Sequence, residues 1–166
     1  MQYAIRRAQT ADVRAIRALI DANAASGRLL DKATVTLYED IQEFWVACDT
    51  DGLVVGCGAL HVMWEDLAEI RTIAVREAHQ GRGVGHQVVA ELLATARQLG
   101  VSRVFVLTFA VEFFRGHGFE VIKGEAATPE VYAELLRSYD EGVAEFLDLD
   151  RVKPNTLGNT RMLLRL

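Results

Sequence analysis

The sequence is poor in cysteine, in proline and in long apolar runs. Its 166 residues include only two cysteines, Cys48 and Cys57, and two prolines, Pro129 and Pro154. So few cysteines exclude a disulfide scaffold and predict reduced core thiols in a cytoplasmic protein. No apolar run approaches the roughly 18 residues that a membrane span needs, and the first residues lack the apolar core of a signal peptide.

Metal-ligand clusters and an excess of positive charge are also missing. No Cys/His group has metal-ligand spacing, so we expect no metal cofactor. The 18 lysines and arginines face 23 acidic residues, for a net charge of −5, which disfavours nucleic acid as a partner. With 51% apolar and 25% charged residues, the chain is predicted to be globular, and without a membrane span we expect no membrane partner.

The chain contains no internal repeat and no linker, so we predict a single domain over residues 1–166 with a C-terminal elaboration over 124–166. Periodicity and capping residues predict seven strands and five helices. The predicted strands are Gln2–Arg7, Phe44–Cys48, Leu53–Met63, Ala68–Val75, Arg103–Phe109 and Phe119–Ile122, with a last strand at Met162–Leu166. The first predicted helix begins after Thr10 as N-cap and continues until Gly27. The other predicted helices are Lys32–Gln42, Gly83–Leu99, Val111–His117 and Pro129 to about Tyr139.

The pattern over residues 68–109 predicts a strand, then a helix, then a second strand. Such a crossover joins parallel strands and is right-handed, whereas the hairpins before it are antiparallel. The predicted fold class is therefore α/β, a mixed and mainly antiparallel sheet with one parallel strand pair, flanked by helices.

A glycine-rich loop, Gln80-Gly-Arg-Gly-Val-Gly85, lies where a buried strand gives way to a helix. Glycine lets a ligand approach the backbone, and the first amides of a helix together with its dipole attract phosphate. The loop therefore points to a cofactor that contains pyrophosphate. The alternative is a tight loop in which the glycines only relieve steric clashes.

Two motifs carry a family resemblance. Gln80–Gly85 resembles the acetyl-CoA signature of the GCN5-related N-acetyltransferase (GNAT) superfamily, and Phe113-Phe-Arg-Gly-His-Gly-Phe119 resembles its second landmark. They occur in the family's order and on the predicted elements. The resemblance implies the GNAT fold, with a splayed parallel strand pair, and acetyl-CoA as co-substrate.

A narrower resemblance is to the short, stand-alone type of N-acetylglutamate synthase, the amino-acid N-acetyltransferase of arginine biosynthesis. It rests on segments 37–47, 55–60, 104–108, 137–147 and 153–159. It implies a small-molecule partner, an amino-acid substrate, with transfer of an acetyl group to the α-amine of L-glutamate or L-glutamine. Alternatives are an N-acetyltransferase for another small amine or a peptide, and a non-catalytic sensor that binds acyl-CoA. The oligomeric state, including a homodimer, stays open.

The resemblance also assigns cofactor-binding residues. The pantetheine arm would pair with the backbone of the strand before the loop, the pyrophosphate would take loop amides, and the next strand's end would border the thioester. These residues are Ile73, Ala74, Val75, Gln80, Gly81, Arg82, Gly83, Val84, Gly85, His86, Thr108 and Phe109.

Glu69 is the predicted general base, because a carboxylate facing the cleft could deprotonate the amine. The alternative is that Glu69 only pairs with Arg71 on the same strand face. Glu112 and His61 are weaker candidates.

The family's proton-donating tyrosine falls at Phe114, which cannot donate and would instead pack on pantetheine or in the core. Tyr38 and Tyr132 are substitutes without positional support.

An amino-acid acceptor presents an α-carboxylate, for which a cation is the natural partner. The candidates for substrate binding are Arg28, Arg71, Lys153 and Arg161.

Overall fold

The computed structural model describes residues 2–24, 32–149 and 158–166. Its strands are β1 (Ala4–Arg7), β2 (Phe44–Cys48), β3 (Val54–Trp64), β4 (Leu67–Val75), β5 (Arg103–Thr108), β6 (Glu120–Val121) and β7 (Thr160–Arg165). Its helices are α1 (Val13–Ala24), α2 (Thr34–Glu39), α3 (Val84–Gln98), α4 (Val111–Arg115), α5 (Pro129–Leu135) and α6 (Glu141–Phe146).

The strands form one seven-stranded sheet in the order β1-β2-β3-β4-β5-β7-β6. The pairs β1–β2, β2–β3, β5–β7 and β6–β7 are antiparallel. The pair β4–β5 is parallel, with Glu69 in register with Phe105. The predicted fold class, mixed α/β with one parallel pair, is confirmed.

Contacts divide the chain into two compact units. The first comprises the residues up to His61 together with Ile70–Gln98. In its core, one face of α1 and Leu37 of α2 pack on β2 and β3. The chain enters α1 through a short 3-10 turn, and the cap is Gln9 rather than the predicted Thr10. The backbone N–H of Gln9 donates to the Asp12 carboxylate at 2.7 Å, a reciprocal arrangement that the sequence pattern did not reveal.

Two glycines of β3 bring α3 close to the sheet. A Cβ built on Gly58 would collide with Ile73 and would lie 2.8 Å from Cγ1 of Val88. A Cβ on Gly56 would lie 2.8 Å from Cγ1 of Val84, the first residue of α3. The missing side chains therefore set the distance between α3 and the strands beneath it.

The second unit comprises Val62–Glu69 and Leu99–Leu166. Its core joins apolar residues of β4, β5 and β7 to α5 and α6, with Phe105 and Phe146 both fully buried. The prediction of one helix to about Tyr139 is wrong, because α5 ends at Leu135 and a separate helix α6 follows. Asp140 begins α6 by accepting from the backbone N–H of Val143 at 2.9 Å.

Both cysteines are free and buried, as predicted. Burial raises the pKa of Cys57 to about 12, so this thiol is unreactive at neutral pH. In the described parts of the chain, no helix combines the length and apolar character needed to cross a membrane.

Candidate active site

The candidate cofactor loop is the turn that follows β4 in the first unit. Its entry is fixed by the backbone bond from Arg76 to the carbonyl of Val55, at 2.8 Å. The side-chain amide of Gln80 then donates back to the carbonyl of Val75 at 3.1 Å. The loop therefore leaves the end of β4 along a defined path.

A contact from the first strand supports the same turn. The hydroxyl of Tyr3 lies 3.0 Å from Nδ1 of His79, and the two rings meet edge to face at 5.8 Å. Tyr3 is only 6% exposed. Because the contact joins residues 76 positions apart, no local sequence pattern indicates it.

The glycines of the loop have the conformation expected for a phosphate cradle. Gly81 and Gly83 have φ values of 72° and 81°, and a Cβ on either would meet no atom within 4 Å. The open space leaves room for a ligand, whereas the positive φ values are by themselves a reason for glycine, so both interpretations of the loop stand. Gly85 differs, because it lies inside α3.

The start of α3 completes this candidate cofactor loop. The helix begins at Val84, not at Gly83, and the carbonyl of Gly83 accepts from the amide of Gln87 at 3.1 Å. The first amides of a helix have no acceptor within it, and a helix of 15 residues carries a full dipole. The exposed side chains of Arg82 and His86 flank this end. The residues present therefore fit an anionic phosphate group.

The strand before the loop contains a local irregularity. Thr72 has a φ of 60°, which a non-glycine residue seldom adopts. Its carbonyl accepts from the thiol of Cys57 at 3.4 Å. After Thr72 come Ile73, Ala74 and Val75, the residues predicted to pair with pantetheine, and they end the strand beside the loop.

A separate candidate group lies in the second unit, around Glu69. Glu69 is 5% exposed and stands next to Phe105 across the parallel strand pair. The same face of the unit carries a fully buried apolar cluster that includes Leu67 and Phe146. A carboxylate in such surroundings is typical of a functional group, because charge is costly to bury without compensation.

Arg161 contacts the same cluster from β7. Its guanidinium carbon lies 4.9 Å from the ring centre of Phe105 and 5.7 Å from that of Phe146. Its Nη2 donates to the carbonyl of Phe146 at 2.8 Å, and Nε donates to the carbonyl of Gly124 at 3.3 Å. Burial lowers the pKa of Arg161, and the nearby carboxylates of Asp148, Glu125 and Glu69 oppose that shift.

The weaker base candidates have other partners. Glu112 is an exposed residue whose carboxylate pairs with Arg115 at 2.5 Å, on the surface of α4. His61, in the first unit, has its Nδ1 2.5 Å from the carboxylate of Glu43, a partner that sequence reasoning did not identify.

The candidates for the missing proton donor also differ in position. Phe114 is 4% exposed and packs edge to face on Phe113 and Phe119, so the structure favours the core role over contact with a cofactor. Tyr38 is 46% exposed on α2, and Tyr132 packs on the core of the second unit.

The remaining predicted residues fall into three groups. Thr108 ends β5 and its hydroxyl accepts from the amide of Ala110 at 2.8 Å, whereas the following Phe109 is 53% exposed. Arg71 is a partly buried residue of β4 in the first unit. Arg28 and Lys153 lie outside the described residues.

Comparisons with known proteins bear on these observations. A model of the acetyltransferase (GNAT) family matches residues 13–119. An amino-acid acetyltransferase of Mycobacterium tuberculosis is 60% identical over 162 residues, which cover 96% of this chain and 92% of that protein. A Mycobacterium tuberculosis structure in complex with CoA and a second molecule has a TM-score of 0.95 at 60% identity, and the match covers 98% of this chain and 99% of that one.

A more distant match is N-acetylglutamate synthase from Neisseria gonorrhoeae, solved with coenzyme A and N-acetyl-glutamate. The TM-score is 0.79 at 26% identity, and the match covers 100% of this chain but only 35% of that one. The glycine cradle, the mixed sheet and these matches agree, and the chain belongs to the acetyltransferase (GNAT) family.

Proposed function

We propose that this protein transfers the acetyl group of acetyl-CoA to the α-amine of an amino acid, L-glutamate or L-glutamine, as the first step of arginine biosynthesis. The observation that carries the proposal is the open cradle of Gly81 and Gly83 at the start of α3, on a chain 60% identical to an amino-acid acetyltransferase. The reaction forms an amide bond and breaks a thioester, and free CoA leaves.

The cradle holds the pyrophosphate in this proposal. Amides of the loop and of the start of α3 donate to its oxygens, as amides at a helix N-terminus do towards an anion. Arg82 and His86 are exposed beside them and add donors at the rim. The backbone of Ile73 to Val75 pairs with the pantetheine arm, and Thr108 and Phe109 border the thioester.

Glu69 is the base in this proposal. A free amino acid is mostly protonated at neutral pH, and only the neutral amine can attack the thioester carbonyl. Glu69 accepts the proton that the amine releases, directly or through water. Its near-complete burial supports this role, whereas Glu112 lies on the exposed surface of α4 and is paired with Arg115.

The thiolate of CoA leaves without a proton from Phe114, whose ring has none to give. An ordinary thiol has a pKa near 8.5, so a departing thiolate is chemically tolerable near neutral pH. Water then supplies the proton. We therefore expect no loss of activity from Tyr38→Phe, in a residue that is 46% exposed.

The acceptor's α-carboxylate needs a cation, and among the described candidates Arg71 is the better one. The Nε and Nη2 donors of Arg161 already reach carbonyls of Gly124 and Phe146. Arg28 and Lys153 remain candidates from the sequence alone.

The test is CoA release, followed with a thiol reagent, across the twenty amino acids and the α-amides of glutamate and glutamine. We expect one of the two acids to react best and its α-amide to react far more slowly. Arg71→Met should raise KM for the acid and remove the discrimination, whereas the control Arg115→Met, on a surface residue, should do neither.

Two results would contradict the proposal. Equal rates with acid and α-amide would favour a peptide or another small amine as acceptor. Binding of acetyl-CoA without thiol release for any amine would favour a non-catalytic sensor.

A further inference from the structure

The turn between β4 and α3, residues 76–83, is anchored at its exit as well as at its entry. The hydroxyl of Tyr3 lies 3.0 Å from Nδ1 of His79, and the two rings meet edge to face. Tyr3 directly precedes β1, and His79 ends the short 3-10 helix that leads into the loop. Both residues belong to the first unit. The contact therefore joins the start of the first strand to the residue immediately before Gln80.

Bonds to other strands fix where this turn lies on the sheet. Within the turn, the amide of His79 donates to the carbonyl of Arg76 at 2.8 Å, a local bond that fixes its shape. At the entry, the amide of Arg76 donates to the carbonyl of Val55 in β3. At the exit, the side chain of His79 meets that of Tyr3. The exit bond therefore contributes a point of attachment that local bonds cannot replace.

Tyr3 is a suitable anchor because its own position is fixed. It is 6% exposed, and the next residue, Ala4, is paired with Cys48 of β2. A buried tyrosine hydroxyl usually has a hydrogen-bond partner, and the imidazole provides one. The half-buried His79 therefore meets a side chain with little freedom to move.

The segment that this anchor precedes would otherwise be mobile in the free protein. Four residues separate His79 from α3, and two of them are Gly81 and Gly83, whose φ values are 72° and 81°. Glycine has more backbone conformations available than any other residue, so such a segment loses much entropy when a ligand orders it. An anchor at one end reduces the number of conformations before binding, and a site ordered in advance binds more tightly.

We propose that Tyr3 and His79 are positioning residues for acetyl-CoA: their hydrogen bond holds the glycine loop in its binding conformation before the cofactor arrives. This inference rests on the proposed function, in which the loop binds the pyrophosphate. Because the pair acts through the loop, it affects the affinity for acetyl-CoA and not the transfer step.

The experiment uses Tyr3→Phe, which removes the hydroxyl and keeps the ring. The matched control is Tyr38→Phe, the same change in a tyrosine that is 46% exposed on α2. A second control is Ile16→Val, which removes one methylene group from the buried core of the same unit and so lowers stability. For each variant we would measure Kd for acetyl-CoA by calorimetry, kcat, KM for both substrates and the melting temperature.

For Tyr3→Phe we expect Kd and KM for acetyl-CoA to rise roughly two- to tenfold, as the loss of one hydrogen bond would cause. kcat and KM for the amino acid should match wild type, and neither control should change Kd. A second readout needs no cofactor. The amides of His79 and Gln80, which are hydrogen-bonded within the turn, should exchange their hydrogen faster in Tyr3→Phe than in wild type or Ile16→Val.

Variants of His79 test the same bond from its other side. His79→Asn keeps a hydrogen-bonding group close to the place of Nδ1 and should retain most of the affinity for acetyl-CoA. His79→Leu should bind as weakly as Tyr3→Phe. Combining His79→Leu with Tyr3→Phe should cause no further loss, because both changes remove one and the same interaction.

Several outcomes would overturn the proposal. Kd values equal to wild type in Tyr3→Phe and in His79→Leu would show that the bond does not position the loop. A rise in Kd of the same size in Ile16→Val would make the effect one of general stability. A lowered kcat with Kd unchanged would place the pair in the transfer step instead. If Tyr3→Phe does not fold, equal affinities of His79→Asn and His79→Leu would refute the bond, and weaker binding by His79→Leu would support it.

Failure of the proposed function has a different signature. Wild-type protein that binds acetyl-CoA but releases no CoA with any amine would refute the transfer reaction. The difference in Kd between Tyr3→Phe and Tyr38→Phe would still decide whether the pair positions the loop.

Discussion

Gly83→Ala tests two properties of this glycine, its left-handed backbone conformation and the open space beside its Cα. At a φ of 81° an added Cβ costs roughly 1–2 kcal/mol of stability, because L-residues disfavour the left-handed region. For a chain of this size, that corresponds to a fall in melting temperature of roughly 2–8 °C. The same Cβ occupies the space above the cradle, where no protein atom lies within 4 Å.

Gly52 provides the control. It also has a φ of 81° and open surroundings, but it lies in the turn between β2 and β3. Gly52→Ala and Gly83→Ala should therefore lower the melting temperature by similar amounts.

Only Gly83→Ala should weaken acetyl-CoA binding. Displacing the phosphate from one amide loses a charge-assisted hydrogen bond of about 1.5–3 kcal/mol, or roughly a ten- to hundredfold increase in Kd. Titration calorimetry with acetyl-CoA measures it. Equal Kd values in both variants would refute the placement of the pyrophosphate at this loop.

Three further predictions concern the base, a capping carboxylate and the contact of α3 with the sheet. Glu69→Gln should lower kcat by roughly 10²–10⁴ with acetyl-CoA binding intact, whereas Glu112→Gln in steady-state assays should match wild type; equal rates would exclude Glu69 as base. The hydrogen bond from Arg6 holds the pKa of Asp12 below its usual value, so the stability it adds is present above about pH 4 and lost as pH falls further. The difference in unfolding free energy between wild type and Asp12→Asn should therefore shrink below about pH 4, and a constant difference down to pH 2 would contradict this. Gly58→Ala should cost about 1–3 kcal/mol in urea unfolding through overpacking against α3, and an unchanged midpoint would show that the helix can move away.

Much of the fold was predictable because local signals agreed with the final packing. Phe44–Cys48 is the strand that its apolar run predicts. The parallel crossover follows from a strand, a helix of regular apolar spacing and a second strand. The failures lie where a short helix offers too few turns for periodicity. The six-residue α6 is such a case, although Asp140 ahead of it is a capping signal that could have revealed it.

In the candidate site, too, some features were predictable from the sequence and others were not. The conformations of Gly81 and Gly83 follow from their place between strand and helix, so the cofactor loop was predictable. The surroundings of Glu69 were not, because they depend on where α6 packs and on strand order. The contact of Tyr3 with His79 likewise joins residues whose separation of 76 positions carries no sequence signal.

The left-handed conformation of Thr72 in β4 determines which substitutions position 72 can accept. Thr72→Gly would relieve roughly 1–2 kcal/mol of backbone strain. Glycine also gives the unfolded chain more conformational freedom, which would lower the stability of the folded state by roughly 0.5–1 kcal/mol. The net difference is small, so selection for stability alone acts weakly on the exchange. Asparagine also tolerates this conformation, whereas valine and isoleucine do not. Among functional variants from random mutagenesis, we therefore expect position 72 to accept glycine and asparagine and to exclude larger β-branched residues.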